Sequence, residues 1–392
     1  MLMEYQGKVF MSKREVVVFS VISSYREGEY SRQQAALKLN VSEKTIQRLA
    51  KKVREDGVEG VKHQNCGAKA HNKLPDEIRL VMTELYKTKY SSFNFKHALE
   101  MIDMHHALKV SYTTFRVWCR KAGLGKTKKR RAKKARLIRE RSANEGFMLQ
   151  MDGSPHKWNG VDEWSLIVLI DDATSDVPHC EFAPSETTWA CMNVLRKCIE
   201  KKGVPEFILT DGAGWSAGSA KRQHFSQFVR ACEELNIKVL TTSSPEAKGR
   251  VERFNRTSQD RVIPELELYG IKGMLDSNRY LEQVYLPWFK ENCSVLPSSQ
   301  ATRYRPVAAG LILEDIFCLK ENRIVNRDHT ISYCNDRYKV LPGPLSTLAG
   351  RQVTVNEYED GSIKVFYGDI ILKANKLKPR LKTKWFGQQN FA

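Results

Sequence analysis

Apolar residues recur at helical spacing in the first sixty residues of the chain. The segments SRQQAALKLN and VSEKTIQRLAKKV follow one another, with Ser31 as a predicted N-cap and with Ile46 and Leu49 on the inward face of the second helix. Two short helices joined by a tight turn, the second of them basic, predict a helix-turn-helix unit over residues 10–60. An ordinary helical hairpin has the same pattern. The residues predicted to contact DNA from the basic face are Lys44, Gln47, Arg48, Lys51 and Lys52.

A looser version of this pattern lies between Asn94 and Leu124. FKHALEMIDMHHAL predicts one helix, and YTTFRVWCRKAGL predicts a second helix that Ser111 caps and that ends at Gly123. This pattern predicts a second helix-turn-helix or winged-helix-like unit over residues 72–125. Its apolar residues would pack equally well in a plain helical bundle.

The spacing of apolar residues changes from helical to strand-like after about residue 144. Three consecutive antiparallel strands are predicted at FMLQMD (147–152), EWSLIVLIDD (163–172) and VPHCEF (177–182). A helix (186–203), the strand EFILTD (206–211), a helix near 224–235, the strand IKVLTTS (237–243) and a helix containing GRVERFNR follow. This is the element order of the ribonuclease H type of α/β fold, which we predict over residues 144–290. A doubly wound nucleotide-binding sheet would instead begin with βαβ and a glycine-rich turn.

The C-terminal part is rich in predicted strands. RQVTVNEY (351–358), the turn EDGS and IKVFYG (363–368) form a hairpin pattern, and DIILKANKL is a predicted third strand. We therefore predict a small β-barrel over residues 325–378. The fold class predicted for the whole chain is multidomain α/β.

The composition points to a polyanionic partner. Lysine and arginine total 64 against 45 acids, which gives a net charge of +19, and the pI is near 9.5. DNA, RNA and anionic membranes all bind such proteins by releasing counterions. No apolar run approaches the roughly 18 residues of a membrane span, and the first residues lack a signal-peptide layout, so we expect a cytoplasmic protein. Nine cysteines without a CxxC pair indicate reduced thiols and argue against zinc.

A dense cationic run, KTKKRRAKKARLIRER, joins the helical region to the α/β region. It contains ten lysines or arginines and a single acid between Lys126 and Arg141. Because charges of one sign repel one another and cannot pack in a core, we predict a solvated linker over residues 126–143 that binds phosphates. The linker residues predicted to contact DNA are Lys128, Lys129, Arg130 and Arg131.

Three acids fall where the predicted topology brings side chains together. Asp152 closes the first predicted strand, Asp211 closes the fourth, and Glu252 lies one turn inside the following helix. Carboxylates that converge in this way repel one another unless cations neutralise them. We predict two Mg²⁺ ions, with Asp152 bridging both, Asp211 on one and Glu252 on the other, in the geometry of an in-line phosphoryl displacement.

The basic neighbours of Glu252 predict phosphate contacts. Lys248 and Arg256 share its helix face, and Arg250 lies in the same run, so these three are predicted DNA-binding residues. Glu246 is the rival for the third acid, but it lies in the loop before the helix. Other residues have two possible roles. The turn acids Asp171 and Asp172 could bind metal or cap a strand, and His156 could reach a phosphate or be structural. The tryptophans could stack on bases or pack in the core: Trp158, Trp164 and Trp215.

At these residues the chain resembles the DDE transposase and retroviral-integrase superfamily, and specifically bacterial insertion-sequence transposases of the ISNCY type. The resemblance rests on QMDGSPHKW, LIDDATSDV, LTDGAGW and SPEAKGRVERFNRTSQDR, with 59 residues from Asp152 to Asp211 and 41 from Asp211 to Glu252. It covers roughly residues 20 to 310, and the β-rich end resembles the small barrel that often follows such cores. The family often has Arg or Asn and then Gly after the second aspartate, whereas Gly212, Ala213 and Gly214 follow Asp211 in this chain.

The resemblance implies a transposase that nicks element ends to expose a 3′-hydroxyl and joins that hydroxyl to target DNA. By position, Asp152, Asp211 and Glu252 would be its catalytic and metal-binding triad, with Mn²⁺ able to replace Mg²⁺. It also implies a homo-oligomer on double-stranded DNA, associated with the bacterial nucleoid. Two alternatives remain at this stage: a catalytically silent DNA-binding regulator that kept the fold, and a ribonuclease H-type nuclease that cuts without joining.

Overall fold

The computed structural model describes residues 11–62, 74–125, 139–211, 227–242 and 245–378. The chain divides into two compact units, Met1–Leu80 and Val81–Ala392. Within the described ranges, no helix combines the length and the apolar character that crossing a bilayer requires.

Among the described residues of the first unit, its core is built by α1 (Lys13–Arg26), α2 (Arg32–Leu39) and α3 (Glu43–Asp56). Each follows a serine whose hydroxyl accepts a hydrogen bond from a backbone N–H of the first turn, which satisfies a donor that the helix itself leaves free. The predicted cap at Ser31 is confirmed. Asn40 adopts a left-handed conformation (φ 50°, ψ 51°), so the chain turns sharply between α2 and α3. The core of this unit consists of Ile22, Ala35, Ala36, Ile46, Ala50 and Val53.

Three more helices follow: α4 (Asp76–Thr88), α5 (Phe95–His106) and α6 (Tyr112–Lys121). The predicted cap at Ser111 is confirmed, because its hydroxyl accepts the Thr114 N–H at 3.1 Å. Tyr86, Phe95 and Phe115 pack together with ring centroids 5.0 to 6.1 Å apart, and they join the three helices.

A five-stranded sheet lies at the centre of the second unit. Its strands are β1 (Met148–His156), β2 (Trp164–Asp171), β3 (His179–Ala183), β4 (Phe207–Thr210) and β5 (Lys238–Thr241). Their spatial order is β3-β2-β1-β4-β5, with β1 to β3 antiparallel and β4 parallel to both of its neighbours. The predicted order of a three-strand meander followed by two further strands is confirmed, and it is the element order expected for the ribonuclease H type of core.

Helices cover both faces of this sheet, namely α7 (Thr188–Lys202), α8 (Gln227–Glu234) and α9 (Gly249–Leu268). Every residue of β2 is buried, as expected for a strand with helices on both sides. On one face α7 and α8 pack against Leu149 and Met151 of β1. On the other face α9 packs through Val251, Phe254 and Val262, together with α10 (Met274–Tyr280) and α11 (Leu286–Cys293). Trp158 and Trp164 belong to this second core.

One strand boundary differs from its prediction. β1 does not end at Asp152 but continues to His156, because Gly153 to His156 pair with Ile167 to Trp164 of β2. The sequence GSPH contains turn-forming residues, and the pairing with β2 overrides that local preference.

The C-terminal part forms two sheets around one core. After the short helix α12 (Leu313–Ile316), β6 (Leu319–Ile324), β9 (Gln352–Glu357), β10 (Ile363–Tyr367) and β11 (Ile370–Leu372) form one sheet. The other sheet contains β7 (Thr330–Tyr333), β8 (Asp336–Val340) and β12 (Ala374–Lys376). The predicted hairpin is confirmed. DIILKANKL, predicted as one strand, is two strands in different sheets, and neither of the two described sheets closes into the predicted barrel.

Candidate active site

Asp152 and Asp211 lie level with each other on neighbouring strands. Gln150 of β1 is opposite Leu209 of the parallel strand β4, and continuing this register by two residues brings Asp152 beside Asp211. Asp211 directly follows β4, as predicted, whereas Asp152 lies inside β1 opposite Val168. Two acids therefore meet at the centre of the sheet.

A lysine ammonium lies between these two carboxylates. Nζ of Lys248 is 2.5 Å from Oδ1 of Asp152 and 3.5 Å from Oδ2 of Asp211. Lys248 immediately precedes α9 and is only 8% exposed. The chain thus supplies a buried cation between the two acids, where their mutual repulsion requires positive charge.

The environment of Asp152 favours additional positive charge. Burial raises the pKa of this carboxyl group above its ordinary value, because the charged form loses hydration, and the negative charge of Asp211 also raises it. The hydrogen bonds from Lys248 and Asn255 lower the pKa but do not offset the burial. A cation placed against Asp152 would therefore stabilise the ionised form.

Glu252 projects from the same side of α9 as two residues that contact Asp152. Lys248 precedes it by four residues and Asn255 follows it by three, and such spacings place side chains on one helix face. Asn255 Nδ2 donates to Oδ2 of Asp152 at 2.9 Å. The three acids are not assembled, however. In the described ranges no group of three or more His, Cys, Asp or Glu side chains is arranged to hold a metal ion.

Two predicted phosphate-binding residues have acidic partners within the protein instead. Lys248 pairs with Asp152 and Asp211, and Arg250, whose side chain is 13% exposed, places Nη1 2.8 Å from Asp172. The sequence shows the basic run but not its acidic partners, which lie on or directly after β1, β2 and β4. The sequence alone therefore predicts that these cations are available to bind phosphates. The third predicted residue, Arg256, is exposed on α9.

The turn acids Asp171 and Asp172 both have structural partners. Asp171 accepts hydrogen bonds from the backbone of Gly146, Ala173 and Thr174, which is the turn-forming reading of that residue. Asp172 is fully buried, and its partners include Gln150 of β1. Sequence reasoning missed Gln150. The available signal was a glutamine inside an otherwise apolar strand, since a buried amide requires hydrogen-bonding partners.

The predicted DNA-binding residues of α3 form one accessible face. Lys44, Gln47, Arg48 and Lys51 are exposed and Lys52 is half-buried, whereas Ile46 is buried beneath them. Lys51 lies 3.8 Å from Glu55, a surface ion pair that solvent weakens. His156 is also exposed, and its ring lies edge-on to Trp158. Lys128, Lys129, Arg130, Arg131 and Trp215 lie outside the described residues, as does the side chain of Glu246.

The sequence relatives decide the family. Residues 20–79 match the family described as winged helix-turn helix. The protein named "Putative transposase y4bF" from Sinorhizobium fredii (strain NBRC 101917 / NGR234) is 32% identical over 369 residues, which are 92% of this chain and 80% of the relative. The chain belongs to the insertion-sequence transposase family. The transposase for insertion sequence IS1202 of Streptococcus pneumoniae, another similar member, is 29% identical over 402 residues, 91% of this chain and 84% of that protein.

Solved structures with some likeness to this transposase-family chain come from retroviruses. One is the simian T-cell lymphotropic virus intasome in complex with PP2A regulatory subunit B56 gamma, at 17% identity and TM-score 0.34 over 76% of this chain and 100% of that one. Another is the HTLV-2 integrase catalytic core domain in complex with magnesium, at 20% identity and TM-score 0.31 over 42% of this chain and 97% of that one. TM-scores this low do not support any conclusion about the fold or function of this chain. The transposase relatives and the helix-turn-helix region support DNA binding and a general role in DNA transposition.

Proposed function

We propose that this protein is a DNA transposase that binds its element ends and catalyses metal-dependent strand cleavage and strand transfer by a two-metal DDE mechanism. The main support is the position of the Lys248 ammonium between Asp152 and Asp211. Two carboxylates that need a neighbouring cation are also the kind of site that binds a divalent metal. Membership of the transposase family supports the reaction class.

The residues at the site fit a divalent metal in their donor chemistry. Asp152, Asp211 and Glu252 supply the carboxylate oxygens that Mg²⁺ prefers, and Mn²⁺ accepts the same ligands. Asn255 Oδ1 is buried beside Asp152 and has no hydrogen-bond partner among the described residues, so an acceptor is available there for water. Two Mg²⁺ ions, when bound, supply Lewis-acid stabilisation of the attacking and leaving oxygens.

The chain's own residues have distinct roles in this proposal. Asp152 and Asp211 hold positive charge at the centre of the sheet, and Glu252 completes the ligand set from α9. Asn255 fixes the orientation of the Asp152 carboxylate through its hydrogen bond. Lys248 neutralises the two aspartates in the metal-free protein, and a bound metal would take over that role and leave the Lys248 ammonium available to contact a DNA phosphate.

The remaining parts of the chain bind and position DNA in this proposal. Residues 10–60 form the first DNA-binding domain, with α3 presenting Arg48 and its neighbours to the duplex, and residues 72–125 form a second. The linker 126–143 follows the phosphate backbone, 144–290 is the catalytic core and 325–378 is the C-terminal β-module. The protein acts as a homo-oligomer on element-end and target DNA, in the bacterial nucleoid.

The test uses labelled duplexes that carry the DNA flanking the gene, incubated with purified protein and Mg²⁺ or Mn²⁺, beside the Asp211→Asn variant. We expect nicks at the element boundary and joined products with the wild type, and neither with the variant. Nicks without joined products would favour a ribonuclease H-type nuclease. Sequence-specific binding without metal-dependent cleavage would favour a DNA-binding regulator.

A further inference from the structure

A buried glutamine links β1 to the first turn of α9. Oε1 of Gln150 accepts the backbone N–H of Val251 at 3.3 Å, and its Nε2 donates to Oδ1 of Asp172 at 2.7 Å. Gln150 has no solvent exposure. Both ends of one amide are therefore used, and replacing it would leave buried polar groups without partners.

This contact supplies a cap that α9 lacks. The residue at its N-cap position, Lys248, makes no side-chain cap hydrogen bond. The first N–H groups of a helix have no acceptor within the helix, and a side chain from outside can satisfy them. Gln150 does so for Val251, so the start of α9 is held by the strand that carries Asp152.

Asp172 joins the same turn of α9 from the end of β2. Its Oδ1 lies 2.8 Å from Nη1 of Arg250, and it also receives Nη2 of Arg139. Its Oδ2 accepts the backbone N–H and the hydroxyl of Ser142 at 2.9 and 2.8 Å. With these donors and Gln150, the buried carboxylate has five donor groups from four residues. Asp172 is thus occupied within the protein and is not placed as a metal ligand.

We propose that Gln150, Asp172 and Arg250 form a positioning network that holds the first turn of α9 against β1 and so sets the place of Glu252 relative to Asp152. Gln150 and Asp152 are two residues apart on one strand and share a face. Arg250 and Val251 immediately precede Glu252. The network thus connects β1, which carries Asp152, with α9, which carries Glu252. Gln150 lies two residues before the first acid and Arg250 two residues before the second. The catalytic part of this inference rests on the proposed function.

The network also reaches the end of the basic linker. Arg139 shares the Asp172 carboxylate with Arg250, and the Nη2 of Arg250 donates to the carbonyl oxygen of Arg139 at 3.5 Å. Residues 139–142 are therefore tied to the same turn of α9. The geometry connects the point where the linker meets the core with the helix that carries Glu252.

The test compares Gln150→Met and Arg250→Met with the control Gln227→Met. Gln227 of α8 also uses both ends of its amide, which donates to the carbonyl oxygen of Lys320 and accepts the Lys320 N–H, but its described partners include no residue of α9. Hydrogen exchange of residues 250–253 is measured in the metal-free protein, and single-turnover cleavage is measured with Mg²⁺. We expect about tenfold faster exchange in the first turn of α9 for both network variants, from the loss of one hydrogen bond of about 1.4 kcal/mol.

We also expect cleavage to slow by roughly 10- to 100-fold, as is usual when residues supporting a metal ligand are lost, with partial recovery in Arg250→Lys. The control should leave both exchange and cleavage close to wild type. Unchanged exchange in both network variants would overturn the proposal, and so would faster exchange with unaltered cleavage. If the wild-type protein shows no metal-dependent cleavage, the proposed function fails, while the exchange measurement still decides whether the network holds α9.

Discussion

Asn255 donates a hydrogen bond to Asp152 at 2.9 Å while its own carbonyl oxygen, Oδ1, is buried and has no partner in the described part of the chain. A buried acceptor without a partner costs on the order of 1 to 3 kcal/mol unless water or a ligand satisfies it. An asparagine held in this way orients the carboxylate beside it and leaves a buried acceptor next to that carboxylate.

Replacing Asn255 by alanine should therefore slow metal-dependent cleavage more than it destabilises the protein. We expect a roughly 10- to 100-fold lower single-turnover rate, because the Asp152 carboxylate loses the bond that orients it. The matched control is Gln259→Ala, one turn further along α9, whose amide donates to Ser154 rather than to an acid. Equal losses of rate in the two variants would contradict an orienting role for Asn255.

A second expectation concerns the contact between α5 and α9. His97 and Glu265 are almost fully buried, with Nε2 of His97 2.5 Å from Oε1 of Glu265, and Arg261 Nε is 3.0 Å from the same oxygen. Glu265→Ala would leave Nε2 of His97 buried without its acid, while Arg261 keeps its ion pair with Glu100, so the free energy of unfolding should fall by about 1 to 3 kcal/mol. Glu267→Ala, at an exposed position of the same helix, should change it by less than about 0.5 kcal/mol. Denaturant unfolding measures both, and similar losses would contradict the anchoring role.

The elements of the core were predictable because their patterns are local. Strand-like apolar runs and helical periodicity gave the order of elements, and Ser31 and Ser111 marked helix starts that the structure confirms. The positions of Asp152 and Asp211 on adjacent strands followed from that order. The pairings of Lys248 and Arg250 did not, because their acidic partners are 37 to 96 residues away in sequence and only the folded sheet brings them near. For the same reason the division of DIILKANKL between two sheets was not predictable from its own residues.

A third expectation concerns DNA binding by α3. Arg48 is exposed on the basic face, so Arg48→Ala should weaken binding to element-end DNA and reduce the slope of log K against log salt concentration by about 1, the amount expected for one lost phosphate contact. Lys13→Ala removes the same charge from an exposed position of α1 and should leave the slope close to wild type. Binding titrations at several salt concentrations test this. An unchanged slope in Arg48→Ala would count against α3 as the DNA-contacting helix.

A fourth expectation concerns stability in acid. Burial alone would raise the pKa of Glu181, but hydrogen bonds from His179 and Lys197 outweigh it and lower the pKa from 4.5 to about 2. A carboxylate whose pKa is lowered by folding stabilises the fold at pH values above 4.5, the pKa of the group in the unfolded chain. That contribution is lost as the pH falls toward 2. The free energy of unfolding should therefore fall less steeply in Glu181→Gln than in the wild type over this window, by on the order of 1 to 2 kcal/mol. Urea unfolding from pH 5 downward measures the difference, and parallel curves would contradict it.

We propose above all that Glu252 joins Asp152 and Asp211 around a divalent metal, at the position where the Lys248 ammonium now neutralises the two aspartates. The most direct test is a Mn²⁺ titration, by calorimetry or electron paramagnetic resonance, of the DNA-free wild type, Glu252→Gln and Lys248→Met. We predict at least about tenfold weaker binding in Glu252→Gln, which loses a ligand, and tighter binding in Lys248→Met, which no longer has an internal cation to displace. Wild-type affinity in Glu252→Gln, or weaker binding in Lys248→Met, would contradict the account.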